Sequence, residues 1–315
     1  MIDYLSLLAV LVPVAAMIAA GTLARWRNWL KAEAEESLLK LVINVLFPCL
    51  MLHSVLGNRA LLQPGNVLLP PFVGFGTMVG GFGLGYLVGR AVGLKQGRGL
   101  RTFAFAVGVY NYGYIPIPII NEFFGGGTLG VLFVHNVGCD LAVWTVGVII
   151  LAGTSWRESW RRALNAPAVT IVVALTLNVL GAGDWMPARL LDGIGVLGAC
   201  AVPLGLIIIG GSLFDYLRKP RDLVDRRVTI PAVVLRLGVL PCCFLLLAWW
   251  LPVSIELKRI MVVQAAMPAG VTPLVISRHF GGQPLTAAQV VLSTTAIGLF
   301  IIPWWIRWGM VWVLG

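Results

Sequence analysis

Apolar windows of about twenty residues recur along this chain with short polar gaps between them, the length at which a helix rising 1.5 Å per residue crosses about 30 Å of hydrocarbon. About ten such windows can be placed, at approximately 4 to 24, 37 to 57, 67 to 89, 102 to 121, 129 to 152, 167 to 183, 189 to 213, 229 to 251, 259 to 278 and 286 to 311. The sixth is short and ends in a turn carrying Gly181, Gly183 and Asp184.

The fourth window breaks its own pattern. Its stretch GVYNYGYIPIPIIN, Gly108 to Asn121, carries Asn111, Gly113, Pro116 and Pro118 inside an otherwise apolar run. Proline removes a backbone hydrogen bond and clashes with the preceding turn, so the helix is expected to break between Asn111 and Pro118. Broken backbone at membrane depth is tolerated only where protein or a water-filled cavity surrounds it. Sliding the second half over the first by roughly 156 residues, as two five-helix repeats would require, aligns Pro48 with Pro203 and FFGGGTLG with HFGGQPLT. The broken stretch then falls opposite AAMPAGVTPLVIS in the ninth window, where Pro268 and Pro273 bracket Gly270. Five helices per repeat is an odd number, so the halves are expected to be inverted, and paired interrupted helices point to a transporter site. The alternative is two proline-kinked helices with no site.

Composition narrows the class to an integral membrane protein. Of 315 residues 59% are hydrophobic and 11% charged, with a mean hydropathy of +0.91, against about a quarter charged in soluble domains. The formal charge of +10 is gathered in short clusters between apolar runs, which favours anionic lipid over nucleic acid as the partner. Odd-numbered gaps hold Arg25, Arg27 and Lys31; Arg90, Lys95, Arg98 and Arg101; Arg157, Arg161 and Arg162; and Arg218, Lys219, Arg221, Arg226 and Arg227. Even-numbered gaps hold little beyond Arg59, Arg189, Lys258 and Arg259. The positive-inside rule puts the odd gaps in the cytoplasm and both termini outside. The first window has no basic residue ahead of it and no small-residue cleavage site close behind, so it is expected to stay as a helix. The cysteines Cys49, Cys139, Cys200, Cys242 and Cys243 lie in apolar runs without metal-type spacing and are expected to be small core residues.

Few polar residues fall inside the windows, which makes each a candidate. If the fourth and ninth windows both unwind and cross, two helix N-termini meet near the bilayer centre and favour an anion. Asn111 can orient a carboxylate there, or satisfy carbonyls freed by the prolines. Tyr110, Tyr112 and Tyr114 flank it, and at least one is expected to line a pocket. Asn44 precedes Pro48 by one turn. In the fifth window His135, Asn136 and Asp140 occur together, Asn136 and Asp140 on one face. Asp140 is a candidate proton carrier or cation ligand, or a partner for Arg236, whose guanidinium would otherwise reach for the cytoplasmic interface. Gln264, Ser293, Thr294 and Thr295 can hold a sodium ion or stabilise broken backbone. His53 reads as packing, and Glu122 and His279 as wetted segment ends. No nucleophile elbow, HExxH or phosphate loop occurs, and the glycines of GFGLGYLVG, with Gly89, read as close helix packing.

Taken together, NVLFPCLML, NYGYIPIPI, HNVGCDLAVWTVGV and AAMPAGVTPLVISRHFGG resemble the auxin efflux carrier family, which includes plant PIN proteins and bacterial carboxylate permeases; the resemblance runs along nearly the whole chain. It implies an all-α membrane fold of about ten helices in two inverted five-helix repeats, 1–153 and 154–315, shared with bile acid symporters and sodium/proton antiporters. It implies a scaffold from helices 1, 2, 6 and 7, and a transport domain from helices 3 to 5 and 8 to 10. The crossover would be carried by Pro116 or Pro118 and Pro268 or Pro273, the substrate-contacting asparagine would be Asn111, and the helix 5 polar site would match Asn136 and Asp140. From the residues themselves, Tyr112, Gly113, Asn44 and Gly270 join Asn111 as candidate substrate contacts, and His135, Gln264 and Thr294 join Asn136 and Asp140 as candidates for coupling. The chain departs from the family in two ways: the gap from Thr154 to Pro167 is short, where plant members carry a long cytoplasmic loop, and the paired acid of the antiporters does not appear. The expected activity is secondary transport of a small carboxylate, auxin-like, malate-like or malonate-like, by an elevator or rocking motion, with no catalytic or metal site. The expected setting is a bacterial inner membrane, with Na+ or H+ as candidate coupling ion and a homodimer as candidate assembly. Rival readings are a sodium- or proton-coupled importer of the bile acid symporter type, a membrane sensor, and an enzyme using His135 and Asp140.

Overall fold

The computed structural model describes residues 2–97, 99–153, 165–218 and 220–315. Arg98, Arg157, Arg161, Arg162, Lys219 and most of the gap from Thr154 to Pro167 lie outside the described residues.

Among the described residues seven helices are long and apolar enough to cross a membrane: α1 (Tyr4–Trp26), α2 (Ala32–Val55), α3 (Gly65–Ala91), α5 (Pro116–Ala152), α7 (Ala188–Leu217), α8 (Arg226–Trp250) and α11 (Pro284–Leu314). The sixth apolar window forms α6 (Ala166–Val179), which at 14 residues is shorter than a full crossing. Shorter helices at the breaks are α4 (Leu100–Gly108), α9 (Ile255–Ala265) and α10 (Thr272–His279).

The fourth and ninth windows are interrupted where the prolines lie, with a difference in detail. Pro116 and Pro273 open helices instead of ending them. Pro116 is the first residue of α5, and Pro273 stands in the first turn of α10. That position suits proline, because its missing N–H would have no intrahelical acceptor there. The non-helical backbone therefore runs ahead of Pro116 and Pro273, with Pro268 inside the second break.

Helix α5 is not one rod. A straight helix would carry Asn136 about 30 Å from Pro116, yet Asn136 Nδ2 donates to the Tyr112 carbonyl at 2.9 Å. The chain doubles back at Gly125, whose φ of 72° and ψ of −176° are non-helical and open to glycine without a Cβ penalty. Gly281 has the same φ of 72° between α10 and α11, at the offset found in the sequence (281 − 125 = 156).

Loop contacts sort the gaps onto two ends. At one end Asn178 Nδ2 donates to the Asn58 carbonyl at 3.1 Å, Asn58 Nδ2 donates to the Gly126 carbonyl at 3.0 Å, and the Ser254 hydroxyl donates to the Asn66 side chain. At the other, Arg25 pairs with Asp215 at 2.9 Å, Gln283 Nε2 donates to the Gly97 carbonyl at 2.8 Å and Arg278 Nη2 donates to the Tyr216 hydroxyl at 2.9 Å.

Helices approach through glycine. A Cβ on Gly138 would stand 1.8 Å from the Pro71 carbonyl oxygen, so α5 lies against α3; a Cβ on Gly210 would stand 2.0 Å from that of Ile18, so α7 lies against α1. In lipid, where apolar surface gains little by hiding, such close van der Waals contact holds helices together. The GFGLGYLVG glycines act the same way, Gly81 against Gly108 and Gly85 against Ala104 of α4. The cysteines correct the expectation. Cys139 alone is fully buried, whereas Cys200, Cys242 and Cys243 are exposed on the apolar outer surface.

Candidate functional site

Between α4 and α5, and between α9 and α10, the chain is extended, and the two extended segments pair. Asn111 N donates to the Pro268 carbonyl and Gly270 N to the Val109 carbonyl, both at 2.8 Å, forming an antiparallel bridge between Tyr110 and Ala269. Each break thus satisfies part of the other's backbone, as membrane depth demands. Gly270 permits the approach, since a Cβ there would lie 2.9 Å from the Tyr110 oxygen.

Side chains from neighbouring helices take up what the bridge leaves over. Thr294 Oγ1 accepts from Ala269 N at 3.2 Å and donates to the Val290 carbonyl at 2.7 Å, so its oxygen is engaged in holding broken backbone. The Tyr112 carbonyl accepts from Asn136 Nδ2 at 2.9 Å and from Gln264 Nε2 at 3.2 Å. Arg236, fully buried, donates through Nε to the Met267 carbonyl at 3.0 Å and through Nη2 to that of Ala265 at 3.3 Å. Its guanidinium stands 5.3 Å from the ring centres of both Tyr110 and Phe244. Neither alternative foreseen for Arg236 is met: it neither pairs with Asp140 nor reaches the interface. The carbonyls at the end of α9, where the helix dipole is negative, hold the cation instead.

A cavity of about 210 Å³ opens beside this crossing. Of the residues singled out from the sequence, Asn111, Tyr112, Gly113, Gly270, Asn136 and Asp140 line it. Tyr112 ties two of them together, since its hydroxyl donates to Asp140 Oδ1 at 2.6 Å while its carbonyl takes the Asn136 amide. Asn111 Oδ1 accepts from Ile115 N at 3.3 Å, capping the approach to α5. Among the described residues the N–H groups of Gly113 and Thr272, both at the cavity, have no protein acceptor. Among the described residues Asp140 is the one carboxylate in the lining, and no lysine or arginine lines it.

The other singled-out residues lie elsewhere. Pro116, Pro118, Pro268 and Pro273 shape the breaks without lining the cavity. Gln264 is buried behind Tyr112, with Oε1 unpartnered. His135 is buried with Nδ1 3.3 Å from Asn136 Oδ1 and 3.6 Å from Cys139 Sγ, off the lining. Asn44 is exposed and donates to the Lys40 carbonyl at 2.8 Å. His53 packs over Gly195, where a Cβ would meet its ring at 2.8 Å.

Several lining residues escaped the sequence reading. Phe47, Phe133 and Trp144 build aromatic walls with Tyr110, Tyr112 and Tyr114. Trp144 sits in a π-helical turn, Val143–Gly147, and Phe47 directly follows another, Val42–Leu46. Such turns, frequent at functional sites, rotate side chains off the α-helical register and leave no pattern in sequence. Asn165, whose Oδ1 caps α6 through Ala168 N at 2.9 Å, also reaches the lining; the signal for it was an asparagine directly ahead of an apolar run.

Among curated proteins none matches this chain. A family model described as membrane transport protein matches it in two segments, residues 6–159 and 155–306. Such coverage, on a chain with apolar helices of crossing length and a cavity where two broken segments meet, is decisive: the chain belongs to the membrane transport protein family, that of the auxin efflux carriers which its motifs resemble.

Proposed function

We propose that this membrane transport protein is a secondary transporter of a small organic anion, a carboxylate above all, and that the cavity at the crossing is its substrate site. The observation that carries the reading is the meeting of two proline-opened helices at one cavity, each offering unpaired N–H groups. Helix N-termini carry partial positive charge and suit carboxylates. Asn111 supplies an amide at the same place, and Arg236 provides a fixed positive charge behind the Tyr110 ring. The aromatic walls suit the apolar remainder of a substrate.

Asp140 is the coupling group in this reading, and the proton the coupling ion. A proton on Asp140 and an anion in the cavity stabilise each other, and by linkage each raises the occupancy of the other. The architecture proposed is two inverted five-helix repeats, 1–153 and 154–315. It is supported by recurrence at one offset of the second-half helix starts at Pro116 and Thr272 and of the positive φ at Gly125 and Gly281. In this scheme α1, α2, α6 and α7 form a scaffold against which the remaining helices move as an elevator. The clustering of arginine in the odd gaps supports termini outside the cytoplasm of a bacterial inner membrane.

Flux into proteoliposomes, with a panel of mono- and dicarboxylates across pH and with or without sodium, tests the reading. Asn111→Ala is expected to abolish flux while its melting temperature stays close to that of the parent, since it loses one capping hydrogen bond of about 1 kcal/mol. Full flux in a well-folded Asn111→Ala variant removes Asn111 from the site. Binding without flux in the parent protein points to a sensor.

A further inference from the structure

We propose a second site on this protein, for the phosphate of an anionic phospholipid, at the end of the molecule where both chain ends lie. A groove of about 770 Å³ is bounded there by the start of α1, the end of α11, the first half of α5 just before Gly125, and α9. It shares no lining residue with the crossing cavity. Two arginines face into it, Arg259 of α9 and Arg307 of α11. Among the described residues neither takes part in an ion pair or donates a hydrogen bond, and Arg259 Nε is buried without an acceptor. Asp3 also lines the groove but pairs with neither.

A half-buried guanidinium without an acceptor is costly. Arg259 is placed by stacking on Phe124, with its guanidinium carbon 5.3 Å from the ring centre. That contact orients the fork and leaves its donors unmet. A phosphate is the acceptor whose geometry two arginine forks match. The occupant's other half follows from the wall, where Met310 and Leu314 continue the groove as an apolar surface. Every bounding segment is the end or the opening turns of a helix, so the groove lies at headgroup depth with its wall running toward the hydrocarbon. Phosphate beside a hydrocarbon channel is the chemistry of a phospholipid, and the two guanidiniums, with which neither Asp3 nor Gly315 of the lining forms an ion pair, select a lipid of net negative charge. The site stands independently of the transport reading.

Native mass spectrometry of the full chain tests it. The protein, in neutral detergent, is offered phosphatidylglycerol and phosphatidylcholine of equal chain length. The parent is expected to retain phosphatidylglycerol in preference to phosphatidylcholine, and Arg259→Gln with Arg307→Gln to weaken that retention at least about tenfold, two charge-assisted hydrogen-bonding groups being lost. Arg307→Gln alone, at an exposed residue with no protein partner, cannot act through folding and is expected to produce part of the loss. Arg59→Gln with Arg189→Gln, exposed arginines outside the basic clusters that do not line the groove, is expected to leave retention unchanged. The proposal is overturned if the Arg259/Arg307 variant retains phosphatidylglycerol like the parent, or if the control pair loses it equally. Displacement of the lipid by glycerol phosphate or malate also overturns it, since the groove would then be a site for soluble anions.

Discussion

Tyr112 joins the backbone of the crossing to its chemistry: its carbonyl accepts from Asn136 and Gln264, and its hydroxyl donates to Asp140. If Asp140 carries the coupled proton, Asp140→Asn removes the dependence of flux on pH, whereas Tyr112→Phe keeps the carboxyl and moves the pH profile without abolishing transport. Unchanged pH profiles in both variants would make the pair structural. Arg236 gives a prediction about stability. Truncating it orphans the Ala265 and Met267 carbonyls and leaves a void the size of a guanidinium, so Arg236→Ala is expected to cost on the order of 3 kcal/mol, with Arg236→Lys between it and the parent. Thermal unfolding in detergent ranks the three. Asn111 was legible in the sequence because an amide beside two prolines has few bland explanations. The role of Arg236 was not, because its partners are carbonyls, which every residue carries.

At the scale of elements, glycine decides which helices touch. Gly138→Ala forces the Pro71 carbonyl and α5 apart, because its Cβ would fall 1.8 Å from that oxygen; overpacking of this kind costs about 1 to 3 kcal/mol. Gly76→Ala, on the same α3 but with nothing within 4 Å, is expected to be neutral or to stabilise by up to about 1 kcal/mol through helix propensity. A melting temperature lowered by the first and not by the second distinguishes packing glycines from incidental ones. Helix positions were readable from apolar length, and both interruptions from their prolines. The reversal at Gly125 falls in the gap between the fourth and fifth windows, 122 to 128, so it too was readable; which residue makes the turn was not, because FFGGG offers three consecutive glycines. The two π turns were hidden, because one extra residue per turn changes which side chain faces the cavity without changing the composition of the run.

At the scale of the molecule, the crossover meets α2 and α7 at Tyr114. Its ring lies edge-on to Phe47 at 5.5 Å, and a Cβ on Gly205 would stand 2.0 Å from it. If α2 and α7 belong to a fixed scaffold, this contact must slide in each cycle. In a background freed of the native cysteines, bridging Phe47→Cys to Tyr114→Cys with a short bismaleimide is expected to stop flux that the unbridged variant retains. Continued flux after complete bridging would rule out an elevator at this contact. What the sequence determined by itself is the class and the punctuation: apolar runs of membrane length, two proline-marked interruptions and an internal offset, because hydropathy and proline act locally and can be read one segment at a time. What only the tertiary structure decided is the register in which the two broken segments pair, Tyr110 against Ala269, that Tyr112 gathers Asn136, Gln264 and Asp140, and that Arg236 serves helix carbonyls. Those contacts join residues far apart in the chain, and close packing, not composition, selects among their possible partners.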